Sequence, residues 1–193
     1  MILYDNRSST NAIKVRFLLA ELGVAAELRE TPLRDKPAEY LDLHPFGLVP
    51  TLVDGALVIT ESNVALRYLA EREGRDDLRG EDPARRARID NLMDTLSLEL
   101  RPALWGVEEI EVYGLDVADE PVRRAALDAA LDAFERLLDP EGPYVLRSFT
   151  IADCAIAGRC QHLERLGLAD GAAPRLRRAV AAAHARAAWA AAA

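Results

Sequence analysis

The sequence predicts an α+β protein of two domains, a mixed unit of strands and helices followed by an all-helical unit. Apolar stretches of strand length all lie before residue 60. A polar segment at residues 74–83, with two glycines and a proline, then interrupts the chain. After it, apolar residues recur at steps of three and four, which is the spacing of amphipathic helices.

The first domain is assigned to residues 1–75 and contains alternating strand and helix patterns. Gly23 ends the first long helix, and Asp54-Gly55 is a strong turn signal between the last two strands. In chain order the elements are strand 2–4, helix 12–22, strand 25–31, a short helix 38–43, strands 51–53 and 56–59, and helix 62–72. The order is therefore β-α-β, a connection, and β-β-α.

The second domain is assigned to residues 83–193, after a linker at residues 76–82. No candidate strand follows the linker, so this domain is predicted to be an all-α bundle. Its helices are expected around 89–106 and 127–138, and from about Thr150 and Pro174 onward.

Composition excludes several classes of protein. The chain has 193 residues, 29% of them charged, and a net charge of −8, so sequence-independent phosphate binding is not expected. No apolar run approaches the roughly 20 residues that span a bilayer, and the start lacks the pattern of a signal peptide. Cys154 and Cys160 match no metal or redox spacing. We therefore expect a cytoplasmic protein with no metal and no nucleic-acid or membrane partner.

The most informative motif joins residues 47–51 with residues 60–63. A proline that enters a strand, here Pro50, can leave the N–H and C=O groups of the preceding residue free to pair with a peptide-like ligand. A serine at a helix start, here Ser62, stands beside unpaired N–H groups that suit a carboxylate. This order of residues can hold an amino-acid-like ligand.

A second motif, at residues 148–153, opens a helix of the second domain. Thr150 and Asp153 have the spacing of a capping box, in which each side chain bonds the backbone N–H of the other residue. We interpret both residues as structural.

The two motifs together resemble the glutathione transferase superfamily, and the resemblance covers nearly the whole chain. Members have an N-terminal thioredoxin-like domain and a C-terminal helical domain. The resemblance implies a cis Val49-Pro50 bond, with the Val49 backbone pairing with the cysteinyl part of glutathione. It also implies that Glu61 and Ser62 hold the γ-glutamyl end, that glutathione is the co-substrate, and that the protein is a homodimer.

Such an enzyme must ionise a thiol whose ordinary pKa is about 8.5. Hydrogen bonds and a helix N-terminus favour the thiolate. The run Ser9-Thr10-Asn11-Ala12-Ile13-Lys14-Val15 resembles bacterial members with a Ser-x-Asn loop, which implies that Ser9 and Asn11 face the sulfur. A zeta-like register of the same loop leaves Ser8 and Thr10 as rivals. Residues of these types also cap helices in unrelated proteins.

The resemblance also implies contacts to the glycyl end of glutathione and to the electrophile. At one position the sequence departs from the pattern of the family. Leu48 stands where many relatives carry a glutamine or lysine that reaches the glycyl carboxylate, and Lys36 is the candidate replacement. The electrophile is expected to bind between the domains, near Ser97, Arg101, Trp105 and Tyr113.

Three functions remain open at this point. The first is a glutathione transferase that activates the thiolate for addition to a small electrophile, as in detoxification. The second is a glutathione-dependent disulfide reductase, which Asn11 favours; the absence of Cys-x-x-Cys excludes ordinary thioredoxin chemistry. The third is a non-catalytic binding module, which Leu48 favours, because a fold does not fix a function.

Overall fold

A computed structural model describes residues 1–169 and 171–193. Its first unit has the predicted order of elements, with a four-stranded sheet and helices packed around it. The elements are β1 (Ile2–Asp5), α1 (Ala12–Leu22), β2 (Glu27–Glu30), α2 (Ala38–Leu43), β3 (Thr51–Asp54), β4 (Leu57–Ile59) and α3 (Ser62–Arg72).

The sheet is mixed, with strand order β2-β1-β3-β4. β1 pairs in parallel with β2, and β3 runs antiparallel to both of its neighbours. Leu3 and Leu52 lie opposite each other on the two central strands and are fully buried. All four residues of the edge strand β2 are exposed, so this strand contributes pairing rather than core.

The hairpin turn lies one residue later than the sequence indicates. Asp54 pairs with Leu57 as the last residue of β3, so the connecting residues are Gly55 and Ala56. Gly55 has a φ of 59°, which a glycine adopts without strain. The Asp54 carboxylate accepts a hydrogen bond from the Tyr68 hydroxyl at 2.7 Å, which ties the hairpin to α3.

The second unit is helical. Its helices are α4 (Asp76–Arg79), α5 (Pro83–Thr95), α6 (Arg101–Glu111), α7 (Glu120–Glu135), α8 (Ile151–Arg159), α9 (Pro174–His184) and α10 (Ala187–Ala192). The segment predicted as a linker contains the short helix α4, whose Leu78 and Arg79 are buried. It is therefore an ordered connection rather than a free polar one.

The helix expected around residues 89–106 is divided. A π-helical turn, Leu96–Leu100, separates α5 from α6. Pro102 has no N–H to donate to a carbonyl four residues earlier, so a regular helix would lose a bond there. Single π-helical turns often occur at functional sites, and this one directly precedes Arg101.

The two units share one continuous core, because α1 packs on α8 and α10 as well as on α3. The two units are packed tightly at Gly158, where a Cβ atom would lie 3.0 Å from the Lys14 Cβ and 3.1 Å from the Thr10 carbonyl oxygen. The second unit thereby fixes the first turn of α1. Within the described ranges, no helix is long and apolar enough to cross a membrane.

Candidate functional site

A cavity of about 240 Å³ lies between the two units. Its walls come from the loop before α1, the segments before α2 and β3, the helix α6 with the residues after it, and the end of α8. The lining residues are Ser8, Ser9, Thr10, Asn11, Leu33, Lys36, Gly47, Leu48, Val49, Arg101, Trp105, Tyr113 and Arg159.

The cavity brings together most of the residues selected from the sequence. From the first unit these are Ser9, Thr10, Asn11, Lys36 and Val49, and from the second Arg101, Trp105 and Tyr113. Pro50, Glu61, Ser62 and Ser97 are not among its lining residues. All four rivals for the sulfur contact line it, so position alone does not choose between them.

The residues of the loop before α1 differ in the hydrogen bonds that their side chains make. The Ser9 Oγ accepts the Ala12 N–H at 3.2 Å, so this hydroxyl caps the helix and keeps its own proton available to donate. Asn11 occupies the N-cap position, but its side chain makes no capping bond. Its amide is therefore available to the cavity. Ser8 is exposed, and among the described residues its one hydrogen bond is from its backbone N–H to the Asn6 Oδ1 at 3.0 Å.

The Val49-Pro50 peptide bond is cis, as the resemblance implies. Within the described ranges, the Val49 N–H and C=O groups have no hydrogen-bond partner. Tyr40 holds the neighbouring backbone, because its hydroxyl bonds both the Leu48 carbonyl oxygen and, at 2.9 Å, the Thr51 hydroxyl. Val49 is one of the cavity-lining residues, so its two unpaired backbone groups lie at the site.

Glu61 and Ser62 lie at the start of α3 and are not among the cavity-lining residues. Glu61 is the exposed N-cap residue, and Ser62 is the buried first residue of the helix, so Ser62 is not itself the cap. The next residue, Asn63, bonds the Lys14 Nζ at 2.9 Å and the Ser97 hydroxyl at 3.0 Å. Ser97 therefore joins α3 to the π-helical turn.

Lys14 does not line the cavity, but its charge interacts with those of the lining residues Arg101 and Arg159. It was not selected as a site residue from the sequence. Its side chain is buried within the first turn of α1, which is an uncommon place for a lysine. Burial, together with the nearby Arg159 and Arg101 charges, lowers the pKa of Lys14 to about 7, against an opposing effect of Glu61. The only cue in the sequence was a lysine between the apolar residues Ile13 and Val15 in the first turn of α1.

Replacing Lys14 with methionine is expected to flatten the pH dependence of stability between pH 7 and pH 9. The pKa of the folded state lies below that of the unfolded state, so the unfolded chain binds more protons in this range and stability rises with pH. The contribution is at most about 1.4 kcal/mol per pH unit. Urea unfolding at several pH values measures it. A Lys36→Met control should keep most of the slope, and an unchanged slope in Lys14→Met would contradict the prediction.

Arg159 forms the floor of the cavity and was not selected from the sequence. Its guanidinium donates two hydrogen bonds to the Glu108 carboxylate, at 2.7 and 2.8 Å, and both side chains are almost completely buried. A third, longer contact of 3.4 Å joins its Nη2 to the Arg101 carbonyl oxygen. α8 is thereby attached to the start of α6.

Trp105 and Tyr113 form an aromatic wall. Their ring centroids are 5.4 Å apart, and the side chains are 46% and 53% exposed respectively. Large aromatic surfaces left open in a concave site are typical of ligand contacts.

Neither cysteine is placed for thiol chemistry. Burial raises the pKa of Cys160 to about 12 and that of Cys154 well above its ordinary value. A thiol that stays protonated is a poor nucleophile. In the part of the chain that the structure covers, no group of three acidic, histidine or cysteine side chains could hold a metal ion.

A thioredoxin-like unit joined to a helical bundle, with a cavity between them, defines the class of this protein. Residues 1–71 match the family model described as glutathione S-transferase, N-terminal domain. Glutathione S-transferase GstB of Escherichia coli is 36% identical over 191 residues, covering 91% of this chain and 89% of the relative. The chain belongs to the glutathione transferase family.

Other similar proteins have different names. A stringent starvation protein A homolog of Haemophilus influenzae is 30% identical over 169 residues, covering 87% of this chain and 77% of the relative. A solved structure of a bacterial maleyl pyruvate isomerase of the zeta class has a TM-score of 0.80 at 26% identity, covering 100% of this chain and 96% of that one. Family membership therefore does not select the reaction.

Proposed function

We propose that this protein is a glutathione transferase, which binds glutathione and activates its thiolate for attack on a small electrophile. The observation that carries this proposal is the convergence of Ser9, Asn11 and the free Val49 backbone on one cavity with an aromatic wall. Membership of the family adds the expectation of a cytoplasmic homodimer.

In this proposal each part of glutathione has its own residues. The cysteinyl backbone pairs with Val49, and the γ-glutamyl end binds Glu61 and Ser62 at the start of α3, where unpaired N–H groups favour a carboxylate. Lys36 takes the glycyl carboxylate in place of Leu48. It lies at the rim, with its ammonium 6.0 Å from the centre of the Tyr40 ring.

In this proposal the sulfur of glutathione binds at the start of α1. The Ser9 hydroxyl donates to the thiolate while it accepts the Ala12 N–H, and the Asn11 amide and Thr10 lie beside it. Such donors stabilise the anion more than the neutral thiol, so they lower the pKa of the bound thiol. The rate gain then comes from holding the thiolate and the electrophile together in one cavity.

The second candidate is a glutathione-dependent disulfide reductase. Both cysteines are buried and stay protonated, so neither is suited to act as a redox thiol of the protein. A reductase of this kind would therefore take its second thiol from another glutathione molecule. Calorimetric titration distinguishes the candidates: tighter binding of glutathione disulfide than of glutathione would favour the reductase.

Three serine-to-alanine variants test the proposed roles. Ser62→Ala is expected to weaken glutathione binding by about 10- to 100-fold, since a hydrogen bond to a charged group contributes about 1.5–3 kcal/mol. Ser9→Ala is expected to keep most of the binding and to lose about 100-fold in turnover. Ser148→Ala, outside the cavity, is the control. Calorimetry and a thiol-conjugation assay measure these effects, and no binding by the wild-type protein at millimolar glutathione would refute the proposal.

A further inference from the structure

Arg101 is an uncompensated cation in the cavity wall. It is the exposed first residue of α6. Throughout the described part of the chain, its guanidinium has no ion-pair or hydrogen-bond partner, although its carbonyl accepts from Arg159. Most arginines of this chain instead meet a carboxylate, as Arg67 meets Asp90 at 2.6 Å. An arginine left free in a cavity is available to a ligand.

The charge of the cavity is opposite to that of the whole chain. The net charge of the chain is −8, yet the lining residues from the described ranges include Lys36, Arg101 and Arg159 and no acidic side chain. Glu108, behind the wall, neutralises Arg159. Lys36 lies on the wall contributed by the first unit, where the proposed function places glutathione. Arg101 is thus the free positive charge on the side left for the electrophile.

The neighbours of Arg101 indicate what kind of anion fits. Trp105 follows four residues later on the same helix, so both side chains lie on one face of α6. The Tyr113 ring extends the aromatic surface. A guanidinium binds a carboxylate through two parallel hydrogen bonds, and the rings offer a flat apolar surface to the carbon skeleton.

Arg159 also lines the cavity, but its charge is already paired with Glu108, so we assign it a positioning role toward Arg101. Its Nη2 lies 3.4 Å from the Arg101 carbonyl oxygen, and its side chain is held by two bonds to Glu108. The regular helix is interrupted by the π-helical turn just before Arg101. The contact from Arg159 holds the backbone at this interruption.

We infer that the electrophile carries a carboxylate, which Arg101 binds, on an aromatic or unsaturated skeleton that packs against Trp105 and Tyr113. This inference rests on the proposed function. In the reaction, the thiol gives its proton to water and the sulfur forms a bond to the electrophilic carbon. On an aromatic ring, the leaving group departs with the electron pair of its bond to carbon. On an activated double bond, the π pair moves to the neighbouring carbon, which takes a proton from water. No oxidant or reductant is required.

A matched pair of probes tests the charge requirement. 4-Chloro-3-nitrobenzoate and 4-chloro-3-nitrobenzamide have the same shape around the reacting carbon, and glutathione displaces chloride from both. Each kcat/KM is divided by the uncatalysed rate constant, which removes the difference in intrinsic reactivity. The wild-type protein is expected to prefer the carboxylate by at least about tenfold, the range of one hydrogen-bonded charge pair.

Three variants identify the residue responsible. Arg101→Gln should reduce the preference by about tenfold, through KM for the carboxylate probe, and should change kcat/KM for the amide probe by a smaller factor. The double variant Arg159→Met, Glu108→Leu should lower the preference for the carboxylate probe by a smaller factor. Arg101→Lys should retain part of this preference. Arg88→Gln, an exposed arginine of α5 outside this cavity, is the control.

The outcomes separate this inference from the proposed function. Turnover of both probes without preference for the carboxylate, or a preference that survives Arg101→Gln, would overturn the inference and leave the transferase standing. Absence of glutathione binding in calorimetry would remove both.

Discussion

Replacing Asp153 with alanine is expected to lower the free energy of unfolding by about 3–4 kcal/mol. The Asp153 carboxylate is fully buried and accepts the Val145 N–H at 2.9 Å, the Thr150 N–H at 2.8 Å and the Thr150 hydroxyl at 3.1 Å. Burial raises the pKa of Asp153 to about 6, so at pH 7 it is ionised and accepts from all three donors.

The expected loss of stability is large because the substitution leaves buried polar groups unpaired. Alanine leaves two buried backbone N–H groups without a partner, and each costs about 1–3 kcal/mol. An exposed cap lacks this penalty. The Asp82 carboxylate at the start of α5 accepts the Arg85 N–H at 2.9 Å in contact with solvent, so Asp82→Ala should cost about 1 kcal/mol.

Urea unfolding of both variants measures the difference, and glutathione titration of the folded Asp153→Ala protein supplies the second readout. Asp153 lies away from the cavity-lining residues, so affinity in the folded fraction should not change. A loss of affinity at unchanged stability would show that Asp153 acts on the ligand, and equal losses for Asp82→Ala and Asp153→Ala would contradict the burial argument.

The local parts of this fold could be predicted because their causes are local. Gly23 ends α1 with a left-handed φ of 66°, and the Thr150–Asp153 capping box opens α8. The interruption before Arg101 could not be predicted from spacing, since apolar residues at steps of four continue through the π-helical turn. The one cue was Pro102, whose missing N–H is compatible with the start of a helix and so allows two interpretations.

The candidate site likewise contains residues that could be predicted from the sequence and residues that could not. Residues beside a recognisable motif, such as Ser9 and Val49, could be selected from their order in the chain, and both line the cavity. Lys14, Glu108 and Arg159 were missed because their partners lie far away in sequence; Arg159 and Glu108 are 51 residues apart. A buried charge is visible in sequence only when its partner is known, and that is a property of the tertiary fold.

The ion pair between Arg159 and Glu108 is expected to have the largest effect on stability when only one partner is removed. Both side chains are at most 3% exposed. Arg159→Met leaves a buried carboxylate without its cation, which typically costs about 3–5 kcal/mol. Glu108→Leu leaves the guanidinium equally uncompensated and should cost about the same.

Removing both partners should restore most of the stability. The double variant has no buried charge, and two apolar side chains of similar volume often replace such a pair without net loss. We therefore expect the double variant within about 1 kcal/mol of the wild-type protein, with a coupling energy of at least about 5 kcal/mol, above the usual range of about 0.5–3 kcal/mol. An exposed pair, Arg147 with Glu141 at 3.0 Å, is the control, and Arg147→Met should cost less than about 1 kcal/mol.

The pH dependence of the single variant makes the test more specific. His162 Nδ1 lies 3.7 Å from the Glu108 carboxylate, and burial lowers the pKa of His162. In Arg159→Met a protonated His162 can replace part of the missing positive charge, so the loss of stability should be smaller in acid than at alkaline pH. Urea unfolding at pH 5.5 and pH 8 measures this. Additive losses in the double variant would show that the charges are solvated independently, and a loss that does not depend on pH would exclude His162 as the substitute cation.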